Sequence, residues 1–272
     1  MRNRKNVILF LLVVVFVAGL ISVVCACGKN YDIVHENGLY MVKIDLNSAK
    51  IEPYVADKLE ILYVMAKKNK ASVAINTGFF DAKNKKTVSF ISKKSEIIAD
   101  PSENENLTSN KNLKPFLDKI YNRGELRILN CKNKIKADIA YHFDAIEDGC
   151  ELLSSTQAGP ILLPDMDLEK EFFILKQDGK IVRDAAGMTR KTDRSLVAVK
   201  NNFLYLIITD EDNPLTIYEL RDKLLEYKFD KALGFDGGGS VSLFVKQSDG
   251  DFYQEREEKG ASREIKSSLL VY

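Results

Sequence analysis

Residues 231–244 read Lys231-Ala232-Leu233-Gly234-Phe235-Asp236-Gly237-Gly238-Gly239-Ser240-Val241-Ser242-Leu243-Phe244. A short apolar run ends in an acid, three glycines and a serine follow, and a second run typical of a β-strand begins. Three glycines weaken any helix or strand, because glycine loses the most backbone entropy on ordering. Such a cluster fits a place where the backbone turns through positive φ or where a ligand approaches it closely. A tight turn between two strands explains it equally well.

The composition of the 272-residue chain is that of an ordinary globular protein, with 45% hydrophobic and 29% charged residues. The formal net charge of +1 argues against a nucleic-acid partner, because binding to phosphates needs a basic excess. The only two histidines, His35 and His142, lie in no motif. We therefore predict no zinc or other metal site, no cofactor and no catalytic triad that depends on histidine.

The N-terminus has the pattern of an export signal. Basic residues within 1–6 precede an uninterrupted run of apolar and small residues over 7–24, as in a secretory signal peptide. The run ends in Val24-Cys25-Ala26-Cys27, which resembles a bacterial lipobox with Cys27 as the lipid attachment site. We predict a lipoprotein-type signal peptide over 1–26, followed by a linker over 27–37. The mature protein would be exported and anchored to the cell membrane by lipid, and an uncleaved anchor or simple secretion are the alternatives.

Cys131 and Cys150 are the two cysteines outside this signal. Exported proteins form and keep disulfides, so the pair predicts a possible disulfide. Two buried free thiols are the alternative, because sequence spacing does not fix the geometry that a disulfide needs.

Hydrophobic periodicity predicts a single α+β domain, rich in strands, with a mixed or antiparallel sheet and two main helices. Strands are predicted at 39–46, 50–55, 71–75, 126–130, 135–141, 161–163, 195–199, 203–209 and 232–235. Helices are predicted at 59–68 and from a capping box at Thr216–Glu219 to about Tyr227. The polar segment 101–112 predicts a loop that would serve as a mobile flap or an insertion.

Five separated stretches place polar or glycine residues beside predicted strands: 75–80, 157–162, 194–199, 235–240 and 263–269. The most specific are Asn76-Thr77-Gly78-Phe79-Phe80 and Asp236-Gly237-Gly238-Gly239-Ser240. Together they resemble the phosphodiester glycosidase family, over about residues 38–272. The chain departs from the family's pattern at Thr77, Glu211 and Ser267. We expect these departures to bear on the substrate more than on the fold.

The resemblance implies hydrolysis of a sugar-1-phosphodiester in cell-surface or exopolysaccharide glycan metabolism. Asp236 would attack the anomeric carbon or activate water toward it, and Asp81 or Asp210 would be a second carboxylate. The implied catalytic residues are Asp236, Asn76 and Arg194, with Asn76 suited to sugar hydroxyls. The implied residues for substrate and phosphate binding are Gly237, Gly238, Gly239, Ser240, Arg263 and Gly78, since guanidinium groups and exposed N–H groups bind oxyanions.

Each implied role has a structural alternative. Asn76 would cap a turn, Arg194 would pair with the neighbouring Asp193, and Arg263 would be a solvated residue of a charged segment. At the level of function, the alternatives are a surface lipoprotein that binds a glycan without cleaving it, and a phosphodiesterase that breaks the P–O bond. A shared fold does not decide between them.

Overall fold

The computed structural model describes residues 31–248, 250–255, 257–258 and 261–272. The predicted signal peptide and Cys27 lie outside these residues. Within them, no helix is long and apolar enough to cross a membrane.

The described strands, in chain order, are β1 Tyr31–Glu36, β2 Leu39–Asp45, β3 Ile51–Glu60, β4 Val73–Asn76, β5 Ile91–Lys93, β6 Glu96–Ala99, β7 Gly124–Cys131, β8 Lys134–Tyr141, β9 Cys150–Gln157, β10 Ile161–Leu163, β11 Ile174–Gln177, β12 Lys180–Asp184, β13 Ser195–Lys200, β14 Phe203–Thr209, β15 Lys231–Gly234, β16 Ser242–Val245, β17 Phe252–Glu255, β18 Glu257–Glu258, β19 Ala261–Ser262 and β20 Ile265–Val271. The α-helices are α1 Leu62–Lys68, α2 Glu105–Thr108, α3 Leu117–Tyr121 and α4 Ile217–Glu226. Short 3₁₀ turns lie at Pro101–Glu103, Lys114–Phe116, Ala185–Gly187 and Gly238–Ser240.

These strands form three main sheets, and every pairing within them is antiparallel. The six-stranded sheet has the order β1-β2-β14-β13-β15-β10, and two five-stranded sheets have the orders β17-β16-β4-β20-β3 and β6-β5-β9-β7-β8. The hairpins β11-β12 and β18-β19 stand apart. The predicted strand-rich α+β domain is therefore confirmed, and its sheets are antiparallel. The two longest helices, α1 and α4, are the two main helices that the sequence predicted.

Alternating side chains pack the six-stranded sheet against a partner on each face. On β13, Val197 and Val199 point into a core shared with Ile75 of β4. The residues between them, Leu196 and Ala198, point into a second core with α4. The five-stranded sheet that contains β4 is backed in turn by α1. The order of layers is therefore helix, sheet, sheet, helix, so the two sheets meet face to face and the ends of their strands lie together.

One sequence prediction near the start of the domain is wrong, and the start of one predicted helix is misplaced. The predicted linker 27–37 contains β1, which pairs with β2 from Tyr31↔Ile44 to Glu36↔Leu39, so ladder hydrogen bonds order residues 31–36. The predicted helix at 59–68 begins only at Leu62. Its first residues belong to β3, because pairing with β20 extends to Ile265↔Glu60 and overrides the helical spacing.

The polar segment 101–112 is also not the predicted loop. It forms a 3₁₀ turn and α2, and Asn104 joins them. The Asn104 side chain accepts the N–H of Asn106 and of Leu107 at 3.1 and 3.3 Å and donates to the carbonyl of Thr87 at 3.0 Å. An asparagine cap satisfies N–H groups that a helix start leaves free, which explains helical turns in so polar a sequence.

The predicted disulfide is present. Cys131 and Cys150 lie opposite each other on β7 and β9 and are joined covalently. The capping box that opens α4 is present as well, since Thr216 accepts the N–H of Glu219 and Glu219 accepts the N–H of Thr216.

Candidate active site

Strand ends from the two facing sheets meet around a cleft. β15 ends at Gly234, two residues before Asp236, and β4 ends at Asn76. The cleft has a volume of about 340 Å³. It is lined by Ala186, Gly187, Arg190, Lys191, Thr192, Asp236, Gly237, Gly238, Gly239 and Arg263. The structure thus brings Asp236, the three glycines and Arg263 together and leaves four other implied residues, Asn76, Arg194, Ser240 and Gly78, outside the lining.

Asp236 lines the cleft, and hydrogen bonds to its backbone hold it in position. Its N–H donates to the carbonyl of Thr77 at 2.8 Å. The carboxylate accepts the Ser240 hydroxyl and the N–H of Gly237, and it lies close enough to Arg263 for electrostatic attraction. Burial raises the pKa of Asp236 to about 6, although these donors and the Arg263 charge lower it. The carboxyl group therefore titrates just below neutral pH, where a general base is effective.

Asn76 is 1% exposed, and its side chain holds the backbone around Asp236 in position. Its amide nitrogen donates to the carbonyl of Asp236 at 2.7 Å, and its amide oxygen accepts the N–H of Ser242 at 3.1 Å. The two polar atoms of the side chain therefore form hydrogen bonds to the backbone on either side of the glycine loop, residues 237–239. This geometry corrects the expectation that Asn76 binds sugar hydroxyls, because it makes Asn76 a positioning residue for Asp236.

Arg194 is only 3% exposed, and it likewise stabilises the backbone next to the cleft. Its guanidinium donates to the carbonyl oxygens of Leu215, Gly187, Met188 and Arg190 at 2.8, 2.8, 3.3 and 2.7 Å. Burial lowers the pKa of Arg194 to about 10, which still leaves it charged at neutral pH. Arg194, which the resemblance implied as a catalytic residue, therefore lies outside the cleft lining, and it supports the segment that forms one wall of the cleft.

The glycine loop offers fewer free donors than the sequence suggested. The N–H of Gly237 is taken by the Asp236 carboxylate, and that of Gly238 donates to the carbonyl of Asp193 at 2.8 Å. Within the described part of the chain, the N–H of Gly239 has no partner. Glycine is required at 238 by its φ of +60°. At 237 it is required by close approach, since a Cβ there would lie 3.0 Å from the Asp193 carbonyl oxygen.

Ser240 and Gly78 serve the loop and its surroundings. Ser240 is buried and donates its hydroxyl to Asp236. A Cβ at Gly78 would lie 2.8 Å from Cβ of Ser89 and 3.0 Å from the carbonyl oxygen of Gln157. Gly78 is therefore needed for close packing under the loop. The binding role that the resemblance implies for these two residues stays a prediction.

The wall formed by residues 186–192 was missed by the sequence analysis. It carries Arg190, whose guanidinium lies over Gly187 so closely that a Cβ there would be 3.1 Å from Nη2. Ala186 has a φ of 56°, an unusual value for a residue other than glycine. The available signal was the basic pair Arg190-Lys191 close before β13, but only the fold shows that this pair reaches the cleft.

The charges of the cleft favour an anion. Arg190, Lys191 and Arg263 face one carboxylate, Asp236, among the described lining residues. The two candidates for a second carboxylate lie elsewhere: Asp81 accepts the side chain of Asn106 at 3.0 Å, and Asp210 contacts His35 at 2.9 Å. In the part of the chain that the structure covers, no group of three or more His, Cys, Asp or Glu residues could hold a metal ion.

Comparison with known proteins points to one family. The family model for phosphodiester glycosidase matches residues 69–272. The catalytic domain of N-acetylglucosamine-1-phosphodiester alpha-N-acetylglucosaminidase from zebrafish aligns with a TM-score of 0.60 and 14% identity, over 89% of this chain and 77% of that chain. A hypothetical protein from Synechocystis aligns with a TM-score of 0.58 and 14% identity, over 89% of this chain. This chain spans 61% of the Synechocystis protein.

At 14% identity these structures show a shared fold. No curated protein sequence matches the chain. The family match, by contrast, covers most of the sequence and includes every residue that lines the cleft. The chain therefore belongs to the phosphodiester glycosidase family.

Proposed function

We propose that the protein hydrolyses a sugar-1-phosphodiester by breaking the C–O bond at the anomeric carbon. The observation that carries this proposal is the meeting of one carboxylate, Asp236, with two guanidinium groups, those of Arg190 and Arg263, in a cleft of about 340 Å³. A cavity of that size holds a small polar ligand. The carboxylate suits an electron-poor carbon, and the guanidinium groups suit a phosphodiester anion.

In the proposed reaction Asp236, ionised above its pKa of about 6, attacks the anomeric carbon or takes a proton from an attacking water. The C1–O bond breaks, and its electron pair leaves with the phosphate, which keeps all its oxygens. Water supplies the new hydroxyl on C1. A phosphate monoester is a weak base, so its departure needs little protonation, which is consistent with one carboxylate in the described lining.

The cationic groups would hold the leaving phosphate. Arg190 and Arg263 both line the cleft, and the N–H of Gly239 adds a neutral donor. Arg194 takes the positioning role described above. This arrangement stabilises negative charge where it develops in the transition state, which is usually the largest single contribution to catalysis.

We also propose that the reaction takes place outside the cytoplasm, at the cell surface. The basic n-region, the apolar run and the Val24-Cys25-Ala26-Cys27 sequence support export and lipid attachment at Cys27. A mature protein anchored in this way would meet cell-surface or exopolysaccharide glycans. Metabolic labelling with a fatty acid should mark the wild type and Cys25→Ser but not Cys27→Ser, and a labelled Cys27→Ser protein would contradict the assignment.

Hydrolysis of an N-acetylglucosamine-1-phosphodiester in ¹⁸O-water tests the reaction. The label should enter the C1 hydroxyl of the released sugar, and label in the phosphate would instead identify a phosphodiesterase. Absence of turnover with any sugar-1-phosphodiester, together with retained binding, would identify the protein as a noncatalytic glycan-binding protein. Asp236→Asn is the matched control, because it preserves the shape of the side chain and removes its charge.

A further inference from the structure

The two ends of the six-stranded sheet differ in what they carry. The cleft lies where β15 ends, beyond Gly234. Tyr31, the first residue of β1, lies at the other end. Strand registers place it in one row with Ile44, Leu204, Val199 and Lys231.

The neighbouring five-stranded sheet has the same polarity. The Tyr31 hydroxyl donates to the carbonyl of Lys246 at 2.6 Å, just after β16 ends. The N–H of Lys246 donates to the carbonyl of Ser72 at 2.8 Å, just before β4 begins. Since β4 runs from this end to Asn76 beneath the glycine loop, Tyr31 lies at the end of both sheets that is remote from the cleft.

We propose that the anchored domain stands with its Tyr31 end toward the lipid headgroups and its cleft directed away from the membrane. The substrate would then be a sugar-1-phosphodiester of a water-soluble or wall-borne glycan, and not a lipid-linked sugar phosphate of the same bilayer. This inference rests on the proposed function, both for the reaction and for the lipid at Cys27.

The length of the segment between Cys27 and Tyr31 limits the orientations that the domain can adopt at the membrane. Tyr31 follows Cys27 by four residues, which span at most about 14 Å when fully extended. β1 runs five residues from Tyr31 to Glu36, about 17 Å, and Glu36 lies in one row with Leu39 and Thr209 at the cleft end of the sheet. If the cleft faced the headgroups, Tyr31 would lie farther from them than the segment between Cys27 and Tyr31 can extend.

The absence of tryptophan from the chain allows a direct test of this orientation. Ser248→Trp adds one tryptophan to the exposed turn after β16, at the Tyr31 end. Asp212→Trp adds one to the exposed turn after β14, at the cleft end. Each lipidated variant is reconstituted into vesicles that contain dansyl-labelled phosphatidylethanolamine, and energy transfer from tryptophan to dansyl is measured. Neither residue lines the cleft.

We expect the transfer efficiency of Ser248→Trp to exceed that of Asp212→Trp by about threefold or more, given the separation of the strand ends. Adding Cys27→Ser should abolish transfer in both. Equal transfer, or stronger transfer from Asp212→Trp, would overturn the orientation. Failure of the lipidated protein without a tryptophan substitution to bind vesicles would overturn it as well. This measurement needs no turnover, so its failure leaves the proposed reaction untouched.

The same vesicles test the substrate class. Lipidated wild type should cleave a soluble N-acetylglucosamine-1-phosphodiester at the rate of the unlipidated Cys27→Ser protein. It should cleave a lipid-linked sugar phosphodiester in its own bilayer at least about tenfold more slowly than the same compound in detergent micelles. Equal cleavage in bilayer and micelles would overturn the assignment to soluble or wall-borne glycans. Loss of all cleavage would instead count against the proposed reaction.

Discussion

Asp236 and Glu171 are two carboxylates whose pKa values are perturbed alike but whose access differs: Glu171 is fully buried, whereas Asp236 is partly exposed. Each has a raised pKa, to about 6 and about 7, with burial as the largest cause, and each lies near an arginine. Glu171 accepts the N–H groups of Gly124 and Ile161, both at 2.8 Å. A Cβ at Gly159 would lie 2.4 Å from its Oε2, so backbone closes the site. Asp236 opens on a cleft with further cations.

This comparison shows that a shifted pKa does not by itself mark a catalytic group. Strong perturbation requires only desolvation and few compensating donors. The Glu171 carboxylate joins the first residues of β7 and β10, and the residue is fully buried. The Asp236 carboxylate has the same kind of perturbation and also a place for a substrate. Space and accessible counter-charge therefore distinguish the candidate catalytic carboxylate from the structural one.

The largest expected effect is that of Asp236→Asn on turnover. Loss of a catalytic carboxylate commonly reduces the rate by about 10²–10⁴-fold or more, and we expect a decrease of that size in kcat. Folding should be preserved, because the asparagine keeps the shape of the side chain. Steady-state kinetics and circular dichroism on the same preparation measure both quantities. Activity within a fewfold of wild type would place Asp236 in the same structural class as Glu171.

Arg190→Gln tests whether accessible charge is what separates the two carboxylates. A hydrogen bond to a charged group contributes about 1.5–3 kcal/mol, so kcat/KM should fall by about 10- to 100-fold. The matched control is Lys191→Gln. Lys191 also lines the cleft but is 62% exposed and pairs with Glu219 at 3.1 Å. Its loss should change kcat/KM by less than about fivefold, and equal losses in the two variants would contradict a specific role for Arg190.

Glu171→Gln should act on stability instead of catalysis. The carboxylate accepts two N–H groups, whereas an amide would turn its own NH₂ group toward one of them. An unsatisfied buried donor costs about 1–3 kcal/mol, so the free energy of unfolding in urea should fall by that amount. kcat per folded molecule should stay within about twofold of wild type. A loss of kcat comparable with that of Asp236→Asn would break the distinction drawn here.

The dependence of activity and stability on pH also distinguishes Asp236 from Glu171, and this effect is smaller than those of the substitutions. Activity should rise as pH increases through about 6, the pKa of Asp236, because the base must be ionised. Stability should respond in the opposite direction. A carboxyl group with a raised folded-state pKa contributes stability that is complete below its unfolded value and is lost as pH rises through its folded value.

For Asp236 that loss lies between about pH 4 and 6, and for Glu171 between about pH 4.5 and 7. The difference in free energy of unfolding between wild type and Asp236→Asn should therefore decline over the first window. The difference between wild type and Glu171→Gln should decline over the second. Urea titrations at pH 4, 5, 6 and 7 measure both, and a difference that grows with pH would show that the carboxyl group is stabilised in its charged form.

The sequence identified the elements of the site better than the direction of each side chain. Asp236 and the three glycines were predicted because an acid and a glycine run after a strand leave a visible pattern. Arg263, Asn76 and Arg194 were implied by the family resemblance, and of these Asn76 and Arg194 point into the protein. Which face of a strand end meets the cleft depends on register and on the packing of two sheets, and neither is encoded in local spacing.

Nonlocal pairing also explains the parts of the fold that the sequence analysis missed. Residues 31–36 are ordered by β2, and residues 59–60 are held in β3 by β20. The wall at 186–192 has no regular pattern, and it depends on carbonyl groups gathered by Arg194 from Gly187 to Leu215. The strand pairings join residues far apart in sequence, and the contacts of Arg194 follow no repeating spacing, so periodicity carries no information about either.

The hydrogen bonds that Asp236 accepts from the Asn76 side chain and donates to the Thr77 carbonyl have a consequence for how activity is acquired during folding. They connect β4 of one sheet with the loop that follows β15 of the other, so neither sheet alone holds the carboxylate in place. A chain whose strands have formed but whose sheets have not docked would give the circular dichroism of a β protein and no turnover. Enzymatic activity should therefore return as the last signal in a refolding experiment, after secondary structure is complete.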